Sequence, residues 1–193
     1  DFIFKGGTSL VLLIDDFRRF SIDIDIITTQ SQEEINNVLA QIVKNSVFES
    51  FKLDEVRSRP GNVPKAHYDV FYNSTINQNA SVTLDILFEQ NLYPVTIDRK
   101  IVCKWIKVSE PYITVKVPDI DSILGDKLAA FAPNTIGVPY HRDESNMSVE
   151  IIKQLFDIGT LVSKINEVTN GRKSFIAHAE NQIKYRNPEI KLT

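Results

Sequence analysis

A chain of 193 residues with net charge −3, 42% hydrophobic and 24% charged, is an ordinary globular polypeptide, long enough for one sizeable domain or two small ones. No apolar run is long enough to span a membrane, no secretory signal or low-complexity repeat is visible, and the surface is not basic throughout, so any RNA contact needs a local patch. The single cysteine, Cys103, excludes an internal disulfide and points to a reduced cytoplasmic setting, where the Asn73 and Asn79 glycosylation triplets are chance matches.

The first elements read as strand, turn, helix, strand. Phe2-Ile3-Phe4 forms a short strand, Gly6-Gly7 break it, and Thr8 or Ser9 caps a helix through Leu10–Phe17. Ile22–Ile27 is the second strand, with Ile22, Ile24 and Ile26 on one face and Asp23 and Asp25 on the other. Like charges on one face repel, and folding does not ask for them. Two carboxylates one pleat apart do suit a shared pair of divalent cations. The glycines leave room for a phosphate to approach backbone N–H groups at a helix start. A strand and this motif at the very start of the chain lead us to expect residues upstream.

Ser31 with Glu34 predicts a capping box, and Ile35, Val38, Leu39, Ile42 and Val43 follow helical spacing behind it. Residues 52–66, with Pro60, Gly61 and Pro64, read as a loop or irregular hairpin; His67–Tyr72 alternates as a strand, and Ser74–Gln78 is a polar turn. In Ala80–Phe88, Val82, Leu84, Ile86 and Phe88 share one face while Asp85 lies on the other. Asp85 is either an edge-strand acid facing water or a functional acid. Tyr93–Lys107 and Tyr112–Val117 read as further strands, with Val102, Trp105 and Ile106 as core and Lys100, Lys104 and Lys107 as a solvated edge that guards against pairing.

Asp119–Ala132 is a predicted helix stopped by Pro133, with Ile120, Ile123, Leu124, Leu128 and Phe131 as its apolar stripe. Lys127 falls inside that stripe. A buried ammonium is costly unless paired, so Lys127 either meets an anion or snorkels to water. After a loop at Ile136–Ser148, a helix from Val149 to Ser163 is expected to bury Ile152, Leu155, Phe156, Gly159 and Val162, with Lys153 and Asp157 as a surface pair on the other flank. One more helix is expected around Ser174–Tyr185 after a turn at Asn170-Gly171, in a mildly basic tail that includes Lys191. His67, His141 and His178 are scattered and carry no assigned role.

Gly-Gly-Thr-Ser followed by Asp-x-Asp resembles the first motif of the DNA polymerase beta-like nucleotidyltransferases. The longer form, Lys5-Gly-Gly-Thr-Ser-Leu10 then Arg19-Phe-Ser-x-Asp-Ile-Asp25, resembles the AbiEii/AbiGii toxins of bacterial toxin–antitoxin and phage-abortive systems, with MenT-like enzymes as relatives. The segment from Pro118 to Ala130 resembles the second family motif, in which a helical lysine holds the triphosphate, and Lys153-Gln-Leu-Phe-Asp157-Ile resembles a late motif, though Gln154 stands where the family carries another acid. The resemblance implies that Asp23, Asp25 and Asp85 hold Mg²⁺ or Mn²⁺, with Asp85 completing the metal site or acting as base. It assigns Gly6, Gly7, Thr8, Ser9, Lys127 and Lys153 to the nucleotide, and Asp157 and Ser21 to catalysis.

The expected fold is α/β (α+β): a mixed sheet with flanking helices as the nucleotidyltransferase core over 1–117, and a helical part over 118–193. The expected function is metal-dependent transfer of a nucleoside monophosphate from a nucleoside triphosphate to an RNA (a transfer RNA end) or a protein hydroxyl, by a toxin with a cognate antitoxin. The rival reading is a nucleotide-binding signalling domain without turnover.

Overall fold

The computed structural model describes residues 2–58, 63–76, 80–133, 135–142 and 144–186. The expected loop residues Pro60 and Gly61, part of the polar turn, Asn79 and Lys191 lie outside them. The chain divides into two compact units, one of Asp1–Asn91 with Lys100–Val115, the other of Leu92–Arg99 with Lys116–Thr193. Among the described residues no helix is long and apolar enough to cross a membrane.

The first unit contains strand β1 (Phe2–Lys5), helix α1 (Gly6–Leu13), β2 (Ile24–Thr28), α2 (Gln32–Asn45), β3 (Phe48–Leu53), β4 (Lys65–Tyr72) and β5 (Ala80–Phe88). The strands lie in the order β3-β4-β5-β2-β1, and the sheet is mixed: β2 runs parallel to β5, and the other neighbours are antiparallel. Leu10, Phe17, Ile26, Ile27, Ile35, Leu39, Ala66, Tyr68, Val70 and Ile86 are buried here. The capping box is formed: Ser31 Oγ accepts from the Glu34 N–H, and the Glu34 carboxylate accepts from the Ser31 N–H at 2.7 Å. That backbone bond, with the Ser31 hydroxyl second, lowers the Glu34 pKa. Tyr68 is buried by α2 and donates its hydroxyl proton to Asn36 Oδ1 at 2.7 Å; burial raises its pKa. β3 is a strand that the sequence does not announce, because a bulge between Phe48 and Ser50 puts Phe48 on the same face as Phe51 and Leu53 and breaks the alternation.

The second unit contains most of β6 (Thr96–Lys100) and β7 (Thr114–Pro118), which are neighbours, then α3 (Ile120–Ala130), a small hairpin of β8 (His141–Arg142) and β9 (Ser145–Asn146), α4 (Ser148–Val162) and α5 (Val168–Arg186). Asp119 caps α3 by accepting from the Ser122 N–H at 2.8 Å. α3 is buried on several sides, from Asp121 to Gly125 and at Lys127 and Ala129, rather than along one stripe, and Leu128 is exposed. The buried Asp121 carboxylate accepts the N–H groups of Asn166 and Glu167, both at 2.9 Å, just before α5 begins. A Cβ at Gly125 would overlap the α5 backbone at Gly171, so only glycine permits this approach. Gly171 is inside a helix rather than in the expected turn, and α5 starts earlier than Ser174. His178 is structural: its Nδ1 donates to Ser174 O at 2.8 Å, and its ring lies 4.8 Å from that of Tyr93.

Two further expectations are corrected. α4 buries Ile151, Asp157, Ile158 and Leu161, while Ile152, Leu155, Phe156 and Val162 are exposed. The helix carries two apolar stripes, and periodicity cannot tell which one faces inward; the inward stripe is the one that brings an acid to the buried lysine of α3. Val102, Trp105 and Ile106 are about half exposed, and only Thr96–Lys100 of the expected strand is regular.

Candidate active site

The first turn of α1 is shaped by its glycines. Gly6 has φ +72°, and a Cβ there would overlap the Asp25 carboxylate. A Cβ at Gly7 would meet Ser21 Oγ at 2.7 Å and the Arg19 guanidinium at 2.5 Å. The loop carrying Arg19 and Ser21 thus crosses directly over the helix start, where the first N–H groups lack intrahelical acceptors. Thr8 sits inside the helix instead of capping it, and its hydroxyl donates to Asp23 O at 2.5 Å. Ser9 is fully buried and donates to Gly6 O at 3.0 Å, a bond that closes the turn.

Asp23 precedes β2 and does not share a strand face with Asp25. Lys5↔Asp25 is the last pair of β1 with β2, and the chain becomes helix at Gly6, so Asp23 has no strand partner there.

The register brings other groups together. Lys5 stands opposite Asp25, Asp25 beside Asp85, and Asp85 opposite His67. Registered partners share a sheet face, so these four residues form one row across β1, β2, β5 and β4. His67 Nδ1 donates to Asp85 Oδ1 at 2.6 Å, and Arg57 Nη2 donates to Asp85 Oδ2 at 3.2 Å. Asp85 is 23% exposed, His67 13% and Arg57 49% by side chain. Arg57 comes from a tight turn in which Asp54 Oδ1 accepts from the Val56 and Arg57 N–H groups, both at 3.0 Å. The Arg57 N–H leads in holding the Asp54 carboxyl below its usual range, with the Val56 N–H and the Arg57 charge adding to it against a desolvation cost. The Ser58 hydroxyl accepts from the His67 N–H at 2.8 Å and so ties the turn to β4.

Neither Arg57 nor His67 stands out in the sequence alone. Only the pairing register of β4 with β5 could have shown that His67 stands opposite Asp85.

Among the described residues no three His, Cys, Asp or Glu side chains converge as a ready metal cage. The donors still fit a hard cation. Asp25 and Asp85 are neighbours on one face, about 4.8 Å apart along the hydrogen-bonding direction. Mg²⁺ commonly takes one or two carboxylates and completes its shell with substrate phosphates and water. On the opposite face, a largely apolar cavity of about 550 Å³, lined by Phe4, Leu12, Phe20, Ile24 and Trp105, opens beside Thr8 and Ser21.

Lys127, Asp157 and Lys153 belong to the second unit. Lys127 Nζ is 2.9 Å from Asp157 Oδ2, with side chains 8% and 0% exposed. The lysine in the apolar stripe therefore meets an acid and does not snorkel to water. Lys153 pairs with Glu150 at 3.0 Å and not with Asp157, because Asp157 faces inward and Lys153 remains 41% exposed.

No curated protein sequence matches the chain. Its fold is similar to that of the nucleotidyltransferase toxin MenT4 of Mycobacterium tuberculosis H37Rv, with TM-score 0.58 at 15% identity, covering 94% of this chain and 57% of that one. It is also similar to an antigenic nucleotidyltransferase-like protein of Paracoccidioides brasiliensis, with TM-score 0.51 at 15% identity, covering 97% of this chain and 81% of that one. The family model of the AbiEii nucleotidyl transferase toxins, of type IV toxin–antitoxin systems, matches residues 1–192, and the chain belongs to that family.

Proposed function

We propose that the chain transfers a nucleoside monophosphate from a nucleoside triphosphate to a hydroxyl acceptor, with Mg²⁺ or Mn²⁺ held by Asp25 and Asp85 and by Asp23 from the adjoining loop. The observation that carries this reading is the in-register Asp25–Asp85 pair beside a glycine whose missing side chain opens the approach to Asp25. When bound, the cation supplies charge to the phosphates and makes a hydroxyl more acidic. The Gly6 and Gly7 turn, with Thr8 holding the Asp23 loop and Ser21 above it, receives phosphate oxygens at the helix start. The acceptor oxygen attacks the α-phosphorus, the bond to the β-phosphate bridging oxygen breaks, and pyrophosphate leaves. The acceptor proton passes to Asp85 or to water.

In the second unit, Lys127, paired with the buried Asp157, is the lysine this reading assigns to neutralising triphosphate charge. Lys153, exposed and tethered only to Glu150, is a further phosphate ligand in this reading. Family membership supports a toxin role with a cognate antitoxin and, for a toxin acting on bacterial RNA or protein, a cytoplasmic place of action. An RNA acceptor, a transfer RNA end among them, or a protein hydroxyl completes the proposal.

The test is incubation with each α-labelled nucleoside triphosphate, total cell RNA and total cell protein. Label in an RNA or protein band with release of pyrophosphate is expected. Nucleotide binding without either product would favour a signalling domain. Expression in a bacterium should slow growth, and Asp23→Ala should abolish the slowing; equal slowing by both proteins would count against catalytic toxicity.

A further inference from the structure

His67 is the least explained group in the sheet row. It comes from a strand paired on both sides, its side chain is 13% exposed, and its Nδ1 lies 2.6 Å from Asp85 Oδ1. A carboxylate can only accept, so Nδ1 carries the proton of this bond. The other ring nitrogen, Nε2, is buried with no hydrogen-bond partner among the described residues. A buried polar atom left unsatisfied costs stability, so a fold that needed only bulk here would be better served by an apolar ring. What the imidazole adds over such a ring is one directed donor to Asp85.

The backbone around it is held as firmly. The Ser58 hydroxyl accepts from the His67 N–H at 2.8 Å, and the Asp54 N–H donates to His67 O at 2.8 Å. The second Asp85 oxygen is treated differently, since its donor Arg57 is 49% exposed and comes from the turn. One oxygen is thus fixed by a buried neighbour and the other is held by a solvent-facing cation.

We propose that His67 is a positioning residue: by donating from Nδ1 to Asp85 Oδ1 it fixes the Asp85 carboxylate in the orientation that serves a divalent cation shared with Asp25, while Arg57 competes with that cation for Oδ2. The inference rests on the nucleotidyl-transfer reading above. It assigns opposite consequences to the two partners of one acid. Loss of the orienting donor weakens metal binding, as loss of outer hydrogen bonds to metal ligands generally does. Loss of the competing guanidinium does not.

The test is Mn²⁺ affinity by electron paramagnetic resonance, with each of four non-hydrolysable nucleoside triphosphate analogues, alongside melting temperature. Asp25→Asn identifies the metal site. His67→Phe, which keeps a ring and removes the donor, should weaken Mn²⁺ binding on the order of tenfold. His67→Asn, whose side-chain amide can donate from near the Nδ1 position, should restore most of that loss. Arg57→Ala should bind Mn²⁺ as well as the unaltered protein or more tightly. If His67→Phe does not fold, His67→Leu, which also lacks a donor, takes its place.

The proposal is overturned if His67→Phe binds Mn²⁺ like the unaltered protein, if His67→Asn is as weak as His67→Phe at an unchanged melting temperature, or if Arg57→Ala weakens binding equally. Absence of Mn²⁺ binding by the unaltered protein would overturn the nucleotidyl-transfer reading with it. Normal binding by both the unaltered protein and His67→Phe would remove only His67.

Discussion

Asp85 and Asp157 are both acids flanked by apolar residues in the chain, and both meet a cation, yet their settings differ. Asp85 is 23% exposed and shared between His67 and the half-exposed Arg57. Asp157 is fully buried against Lys127. Charges taken wholly out of water depend on each other, and breaking such a pair strands a charge in a low-dielectric interior. Charges that keep contact with water can exchange partners at little cost. The first unit thus holds an acid whose ion-pair partner can be displaced by a ligand, while the second holds one whose ion pair is part of its packing.

The comparison breaks most readily at the acid beside Asp85. Asp25→Asn should lower nucleotidyl transfer on the order of 10³-fold, since a bound cation contributes several kcal/mol to the transition state. The melting temperature should hold or rise as repulsion from Asp85 is relieved. Pyrophosphate release together with a thermal melt checks both, and normal turnover would refute the metal site.

Next in size is Lys127→Met, which should destabilise the protein by about 3–5 kcal/mol because Asp157 keeps its burial and loses this counter-charge. Urea unfolding measures the loss. A variant of undiminished stability with sharply weaker triphosphate binding would show that the pair serves the ligand and not the packing.

A much smaller effect is expected at the open pair. Arg57→Ala should cost less than about 1 kcal/mol in the same unfolding experiment, as half-exposed pairs do. A cost matching that of Lys127→Met would erase the distinction between the two acids.

The smallest effect concerns pH. The Asp54 carboxyl is held below its ordinary value of 3.8, chiefly by the Arg57 N–H. Its folded pKa being depressed, its contribution is present above the ordinary value and lost as pH falls through the lowered one. The turn that carries Arg57 should therefore keep its amide protection from neutral pH down to about 4 and lose it only below. Hydrogen exchange of the Val56 and Arg57 amides reads this directly, and loss of protection nearer pH 6 would show that another group holds the turn.

Much of this molecule was legible without a structure because it is written in local rules. Ser31 and Glu34 formed their capping box since both partners lie within one helical turn. Asp85 was noticed because an acid interrupts an alternating strand, and Lys127 because it falls among apolar residues at helical spacing. The glycines at 6 and 7 were legible as a break and a close approach, although the helix they open begins three residues earlier than a Thr8 cap implied.

Other features were decided by contacts between distant segments. Asp23 left the strand because β1 ends where α1 begins, which no property of Asp23 records. The inward face of α4 is the one that carries Asp157 to the lysine of α3, and Gly171 lies in the helix on which α3 packs at Gly125. His67 and Arg57 became partners of Asp85 only through the register of β4 on β5 and the turn before it. Sequence by itself determined which residues are chemically out of place: three acids, a lysine and a pair of glycines. Tertiary structure decided their neighbours, because register and helix packing join residues tens of positions apart, and a one-residue slip of a strand would turn its acid to the opposite face.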